Sequence, residues 1–272
     1  MFSMIFISFY ILFFEHMNYF KKILDIYRFL DWYYYLGFLL LGLCLRAQLN
    51  ITIFKYFLLS AFLLAYAFSF NDFCDKRKKA YFILPLFLSI LFFPLLNITQ
   101  IILSSIFLLI VIFYSAKPLR LKAKPFFSSL CNGVGFSIIF LLGYSVISFD
   151  VYGFIFSLFL FCFNMIAQLI HEVVDIDEDK KENITTTAVL CGERRIIRFC
   201  QFFLSMIFLI GAYLYYLKIV GFIFLIITMI FSTFFMFKIS RKRIDKNLRK
   251  NYKIFGILVG LIYFILICVR NI

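Results

Sequence analysis

Long apolar runs separated by short polar breaks repeat along the chain from about Trp32 to Arg270. A helix that crosses a bilayer needs about 20 mainly apolar residues. Nine segments meet or approach that length: about 32–49, 52–70, 80–96, 99–114, 126–148, 151–170, 195–217, 219–238 and 253–270. The breaks alternate in character. Those near Asn50, Asn97, Asp150 and Lys218 are tight, whereas those at 71–79, 115–125, 171–194 and 239–252 are longer and basic. The pattern predicts an all-α integral membrane bundle of nine transmembrane helices. Residues 1–14, "MFSMIFISFYILFF", read as a hydrophobic leader that lacks a basic start and a small-residue cleavage site, and Met17 is a second candidate start. "NYFKKILDIYRFLDWYYY" follows as an amphipathic interfacial helix. The expected division is therefore an N-terminal stretch, 1–31, and one membrane domain, 32–272.

Composition agrees with a bilayer protein. Hydrophobic residues make up 64% and charged residues 15% of the chain, against about 45–50% and about 25% in soluble domains. The net charge of +14 would suggest nucleic acid in a soluble protein. Here the cations concentrate in the long loops, as in Lys76, Arg77, Lys78 and Lys79 or in "KISRKRIDKNLRKNYK". That bias places the N-terminus and the four long loops in the cytoplasm and the C-terminus outside, in an inner or plasma membrane. No nucleic-acid partner is expected. The seven cysteines form no CxxC pair and no zinc-like spacing, and read as small hydrophobes.

Against this background the acids are misplaced. Glu172, Asp175, Asp177, Glu178, Asp179 and Glu182 supply six of the fourteen acids of the chain, directly after an apolar run. Glu172, Asp175 and Asp179 follow i, i+3, i+7 spacing, and Asn164 and Gln168 extend that polar stripe into the membrane. At the end of the second run, "FSFNDFCDKRKK" puts Asn71, Asp72 and Asp75 at an exit on the same side. Ionisable residues at membrane depth are costly and face a cavity with a partner. Two acid clusters on one membrane face repel each other unless cations bridge them, and carboxylates at this density suit Mg2+ carrying a substrate phosphate. Asp177, Glu178 and Glu182 fit equally well as solvated charge. Between the fourth and fifth runs, "YSAKPLRLKAKPF" brings Tyr114, Lys117, Arg120 and Lys122 to the same surface, where Pro118 and Pro125 hold a loop. A plain positive-inside loop would look the same for any one of these residues. The expected result is a cytoplasm-facing, Asp-lined central cavity that binds a diphosphate.

"NDFCD", "YSAKPLRLK" and "DIDEDKKENITTTAV", in this order and on this side, resemble the UbiA-like intramembrane prenyltransferases, of the 4-hydroxybenzoate polyprenyltransferase-like kind. The resemblance runs from about Asn18 to the end of the chain, and it implies nine helices with two Asp-rich motifs. It assigns Asp72, Asp75, Asp175 and Asp179 to catalysis through bound Mg2+. Asn71, Tyr114, Lys117, Arg120, Lys122, Asn164, Gln168 and Glu172 are the expected substrate-binding residues, and Thr186, Thr187 and Gly192 match the family's Thr-rich ending. The implied reaction moves an isoprenyl group from an allylic isoprenyl diphosphate to an aromatic or other lipophilic acceptor. In one departure, Lys79 stands where the first motif usually carries a third acid, and the loop is cut short at about Ala80. Lys76, Arg77, Lys78 and Lys79 then read as cations that replace part of a metal's charge.

Two other readings stay open on the sequence: a cyclase or hydrolase on the same scaffold, and a non-catalytic relative or transporter. His171 fits a cap as well as a catalytic role. Gly256 and Gly260, in "GILVG", read as a site of close helix packing.

Overall fold

The computed structural model describes residues 21–46, 53–75, 77–182, 184–241 and 243–270. The leader at 1–14, Met17 and Lys76 lie outside them. Helix is the one regular structure among the described residues. After a helical stretch at 21–26, the chain forms α1 (Phe29–Trp32), a 3-10 turn (Tyr33–Tyr35), α2 (Leu36–Leu45), α3 (Ile53–Cys74), α4 (Ile83–Leu91) and α5 (Ile98–Ser115). Then come α6 (Phe127–Tyr144), α7 (Val151–Val174), α8 (Ile176–Lys181), α9 (Thr187–Cys191), α10 (Glu193–Tyr216), α11 (Phe222–Arg241) and α12 (Lys246–Arg270).

Each of the nine apolar runs folds as helix, but not all to spanning length. Seven helices, namely α3, α5, α6, α7, α10, α11 and α12, are long and apolar enough to cross a membrane. The first and third runs form the shorter apolar units Phe29–Leu45 and Ile83–Leu95. In the third, α4 gives way to a 3-10 turn carrying Pro94, whose missing N–H and ring end a regular helix.

Two of the tight breaks work as helix starts. Asn97 forms a capping box with Gln100: its side chain accepts from the Gln100 N–H at 2.9 Å, and its own N–H donates to Gln100 Oε1 at 3.1 Å. Asp150 caps α7 by accepting from the Gly153 N–H at 3.0 Å. Its carboxylate also accepts from Tyr144 Oη at 2.8 Å and pairs with Arg46 at 2.5 Å. These partners lower its pKa and outweigh burial, which acts upward. The long loops lie at the other end of the antiparallel helices.

Two apolar cores share α2 and α6. Leu39, Leu43, Leu59, Leu63, Ile139 and Leu142 belong to the core built with α3 and α5. Leu41, Phe140, Phe156, Phe159, Phe224 and Tyr263 belong to the core built with α7, α11 and α12. Between the two cores lies a cavity of about 690 Å3. α2 and α6 meet backbone to backbone: a Cβ on Gly42 would run into the Phe140 carbonyl oxygen, and one on Gly143 into that of Leu39. Neither obstacle is a side chain that can swing away. Gly42→Ala and Gly143→Ala are therefore expected to destabilise the fold by about 1–3 kcal/mol each. Gly37→Ala, whose Cβ would meet nothing within 4 Å, is the control. Thermal unfolding in detergent checks this, and equal melting temperatures for all three variants would contradict the packing.

Candidate active site

α3 carries Asn71 and Asp72 in its last turn, and Asp75 follows it directly. Asp72 is 3% exposed, so its charge needs partners inside the protein. Arg28 Nη1 lies 3.1 Å from Oδ1 and Lys78 Nζ 3.1 Å from Oδ2. Lys78 also donates to the Asp25 carbonyl at 2.7 Å. The cut-short loop is thereby tied to the residues ahead of α1, across the boundary expected at residue 31. Arg28 reaches Asp31 as well, at 2.7 Å.

Asp75 takes its cations from the loop between α5 and α6. Lys122 Nζ lies 2.6 Å and Arg120 Nη2 3.2 Å from its Oδ1. Lys122 donates to Asn71 Oδ1 at 2.7 Å, as does Ser115 Oγ at 3.2 Å. Burial pulls the Lys122 pKa below its ordinary value, against the opposing pull of Asp75. Arg28 (φ 53°) and Arg120 (φ 39°) both occupy the left-handed backbone region, which is costly for residues with a Cβ. Both arginines that serve the first motif are thus held in strained backbone. Lys117, in the same loop, is exposed.

The second motif caps α7. Asp175 Oδ2 lies 2.8 Å from His171 Nδ1, and Oδ1 lies 3.7 Å from Arg249 Nη1. Burial, the largest effect, acts upward on its pKa, but His171, Arg249 and Lys246 hold it below the ordinary carboxylate value. Asp179, in α8, accepts from Thr186 Oγ1 at 3.0 Å. Its pKa is raised by burial and by the nearby Asp175 and Glu172 charges, against the Thr186 hydrogen bond. Glu172 is 3% exposed and accepts from Ser129 Oγ at 2.9 Å and from the Ala188 N–H at 3.3 Å. It fastens α6 and α9 to α7. The Phe126 N–H donates to Thr187 Oγ1 at 2.9 Å, a second tie between the same parts.

Below the motifs the cavity is walled by aromatic and aliphatic side chains, among them Tyr35, Phe38, Phe107, Phe136, Phe159 and Phe163. Of the residues the sequence singled out, Asn71, Tyr114, Asn164, Gln168 and His171 line it. Tyr114 Oη accepts from Asn132 Nδ2 at 3.2 Å, Gln168 Nε2 donates to Ser128 Oγ at 3.2 Å, and Asn164 Nδ2 donates to the Leu160 carbonyl at 2.9 Å. The four aspartates, Glu172, Lys117, Arg120 and Lys122 stand outside this lining. Arg28, Arg249 and Lys253 also line the cavity, although by sequence they fall among interfacial and loop charges. Arg249 and Lys253 follow i, i+4 spacing at the start of the last apolar run, a signal that was present. Gly256 and Gly260 line the cavity too, and a Cβ on either would meet nothing within 4 Å. The expected close helix packing at these glycines is therefore absent.

As to a metal, the donors are hard carboxylate oxygens suited to Mg2+. Asp72 already holds two protein cations, and among the described residues no three His, Cys, Asp or Glu side chains converge as a ready-made metal site. The donor chemistry fits Mg2+ if substrate oxygens complete the shell, since this ion keeps waters and phosphate ligands rather than an all-protein cage.

The chain is an all-helical bundle of the membrane-spanning kind among its described residues. It belongs to the UbiA prenyltransferase family, which it matches over residues 76–266. The digeranylgeranylglyceryl phosphate synthase of Methanosphaera stadtmanae is 26% identical over 165 residues, 60% of this chain and 59% of the relative. The chain thus spans about three fifths of that relative's length. A UbiA homologue from Archaeoglobus fulgidus bound to GPP and Mg2+ superposes with a TM-score of 0.74 at 18% identity, over 91% of this chain and 99% of the other. Its complex with DMAPP and Mg2+ gives 0.73 at 18%, over 90% and 98%. A structure of a digeranylgeranylglyceryl phosphate synthase gives 0.74 at 19%, over 91% and 98%. These structures share the fold.

The Glu172 tie is open to test. Ser129→Ala removes one of the two hydrogen bonds to a buried carboxylate, and is expected to cost about 1–3 kcal/mol. A shift of the unfolding midpoint in detergent measures it, and an unshifted midpoint would show that the bond does not hold the loop.

Proposed function

We propose that this protein transfers an isoprenyl group from an allylic isoprenyl diphosphate to a lipophilic acceptor and releases diphosphate, with Mg2+ required. One observation carries this reading: two Asp motifs and a basic loop stand at one end of the bundle, above an apolar, aromatic-walled cavity of about 690 Å3. The diphosphate belongs at the motifs and the isoprenyl chain among the aromatic side chains. The A. fulgidus homologue's complexes with GPP, DMAPP and Mg2+ support the same donor class.

Asp72, Asp75, Asp175 and Asp179 would hold the Mg2+, which, when bound, supplies positive charge to the departing diphosphate. Arg120 and Lys122 add fixed positive charge where negative charge develops. As the allylic C–O bond breaks, its electron pair leaves with diphosphate, and the allylic carbon becomes cationic. Aromatic faces of the wall, such as Phe136 and Phe163, stabilise that cation by about 0.5–2 kcal/mol per contact. The acceptor nucleophile then bonds to the carbon, and the departing diphosphate takes its proton. Tyr114, Asn164 and Gln168 orient the acceptor by hydrogen bonds, and the apolar wall keeps water from the cation. Lys117, exposed in the basic loop, adds to the attraction for the diphosphate from outside.

We place residues 32–272 in one catalytic membrane domain, with α1–α2 and α4 completing nine crossings. The basic loops put the motifs and the cavity mouth on the cytoplasmic side by the positive-inside bias, and the C-terminus on the other.

Purified protein incubated with labelled geranyl or geranylgeranyl diphosphate, Mg2+ and an acceptor panel tests the reaction. Asp72→Ala and Asp175→Ala are each expected to lower prenyl transfer by about a hundredfold or more, and chelation of Mg2+ to abolish it. Transfer that persists in both variants would refute the site. Release of a free alcohol or a cyclic hydrocarbon in place of a prenylated acceptor would turn the reading to a hydrolase or cyclase.

A further inference from the structure

Prenyl transfer makes no use of the seven cysteines, yet two of them meet across the bundle. Cys44 stands in the last turn of α2 and Cys268 near the end of α12. Their sulfurs lie 3.4 Å apart, although the residues are 224 apart in sequence. Packing holds both in place. Cys44 is 1% exposed and belongs to the core built with α7, α11 and α12, and Cys268 packs against that same core. Gly42, two residues before Cys44, is where the α2 backbone meets that of α6.

The pair lies at the end of the bundle opposite the Asp motifs. Arg249 joins the start of α12 to Asp175 at 3.7 Å, and Cys268 stands about 28 Å further along the helix at about 1.5 Å per residue. Arg46, two residues beyond Cys44, is bound to Asp150 and to the Ser148 carbonyl at that same end. Both helices wall the cavity, α2 through Gly37 and Leu41 and α12 through Val259 and Tyr263. Of the seven spanning helices, α12 has the smallest share of its span inside the molecule. A covalent tie at its far end would therefore add most where packing gives least.

We propose that Cys44 and Cys268 are a disulfide-forming pair, which reversibly staples the far end of α12 to α2. A disulfide needs its sulfurs at about 2.05 Å, so contacting thiols have only a short way to close. Cys268 is half-buried and Cys44 buried, which sets the order of events. The oxidant is itself a disulfide, carried by a small molecule or a protein. The Cys268 thiolate attacks it, one oxidant sulfur leaves, and a mixed disulfide forms on Cys268. The Cys44 thiolate then attacks the Cys268 sulfur and releases the other half of the oxidant. The cysteines are oxidised, the oxidant is reduced to two thiols, and those thiols carry the two protons that the cysteines gave up. The bond closes most of the chain into one loop, and in the chain-entropy account longer loops gain more stability. This end of the bundle is the one proposed above to face outside, where disulfides persist; the pairing itself is independent of that orientation.

The test uses the full chain in nanodiscs, first reduced, then treated with oxidised glutathione and alkylated under denaturing conditions. Digestion of the wild type without reductant is expected to give a peptide pair joining Cys44 to Cys268, lighter by two hydrogens than the two reduced peptides together. Its melting temperature should rise by about 5 °C or more on oxidation and fall back with dithiothreitol. Cys44→Ser keeps the entry thiol and should stop at a glutathione adduct on Cys268, whereas Cys268→Ser should leave Cys44 unmodified. Neither variant should show the rise in melting temperature. Absence of the joined peptide from the oxidised wild type, a result that needs no variant to fold, would overturn the proposal. A joined protein that melts at the temperature of the reduced one would overturn the staple. A glutathione adduct on Cys44 in Cys268→Ser would overturn the order of attack.

Discussion

Carboxylates at the end of an apolar bundle have to be neutralised, and the partners recruited for that task organise the site. Asp72 draws Arg28 and Lys78 onto it, Asp75 draws Arg120 and Lys122, and Asp175 draws His171 and Arg249. Each set comes from a different part of the chain, so the ion pairs tie the residues ahead of α1, the basic loop and the start of α12 to the helix ends that carry the acids. Removing one partner of such a buried pair leaves an uncompensated charge. The motifs therefore act as structural anchors before any substrate arrives.

The first motif is closed by its own salt bridges. Asp75 shares one carboxylate oxygen between Arg120 and Lys122, so under the proposed function an incoming diphosphate would compete with Asp75 for the same two cations. Arg28 and Arg120 stand in left-handed backbone, a conformation that persists only where the surroundings hold it.

Much of the architecture was legible in the sequence, because a bilayer writes itself into composition. Among the described residues the apolar runs fold as helix, seven of them long and apolar enough to span, and Asn97 and Asp150, at tight breaks, are helix caps. Length was read less well, since Pro94 falls inside an apolar run and hydropathy alone does not register the end of a helix. Within the site, the Asp motifs and the basic loop stood out through their chemistry. Arg28 and Arg249 did not, because their partners lie 44 residues away for Asp72 and in another helix for Asp175. Gly256 and Gly260 were misread for a related reason. Small residues at helical spacing mark close packing or an open wall alike, and the difference lies in what stands opposite.

The uneven burial of the bundle has a mechanical consequence. Inside the molecule lie 72% of the spanning window of α6 and 61% of that of α7, but only 22% of that of α12. Elements with few buried contacts are the ones that open at low free-energy cost. α6, gripped by α2 through Gly42 and Gly143, is the stiff axle of the protein, and α12 is its compliant wall. α12 also supplies one wall of the cavity, through Gly256, Val259, Gly260 and Tyr263, so the least buried of these helices is the one that stands between the cavity and the surrounding lipid.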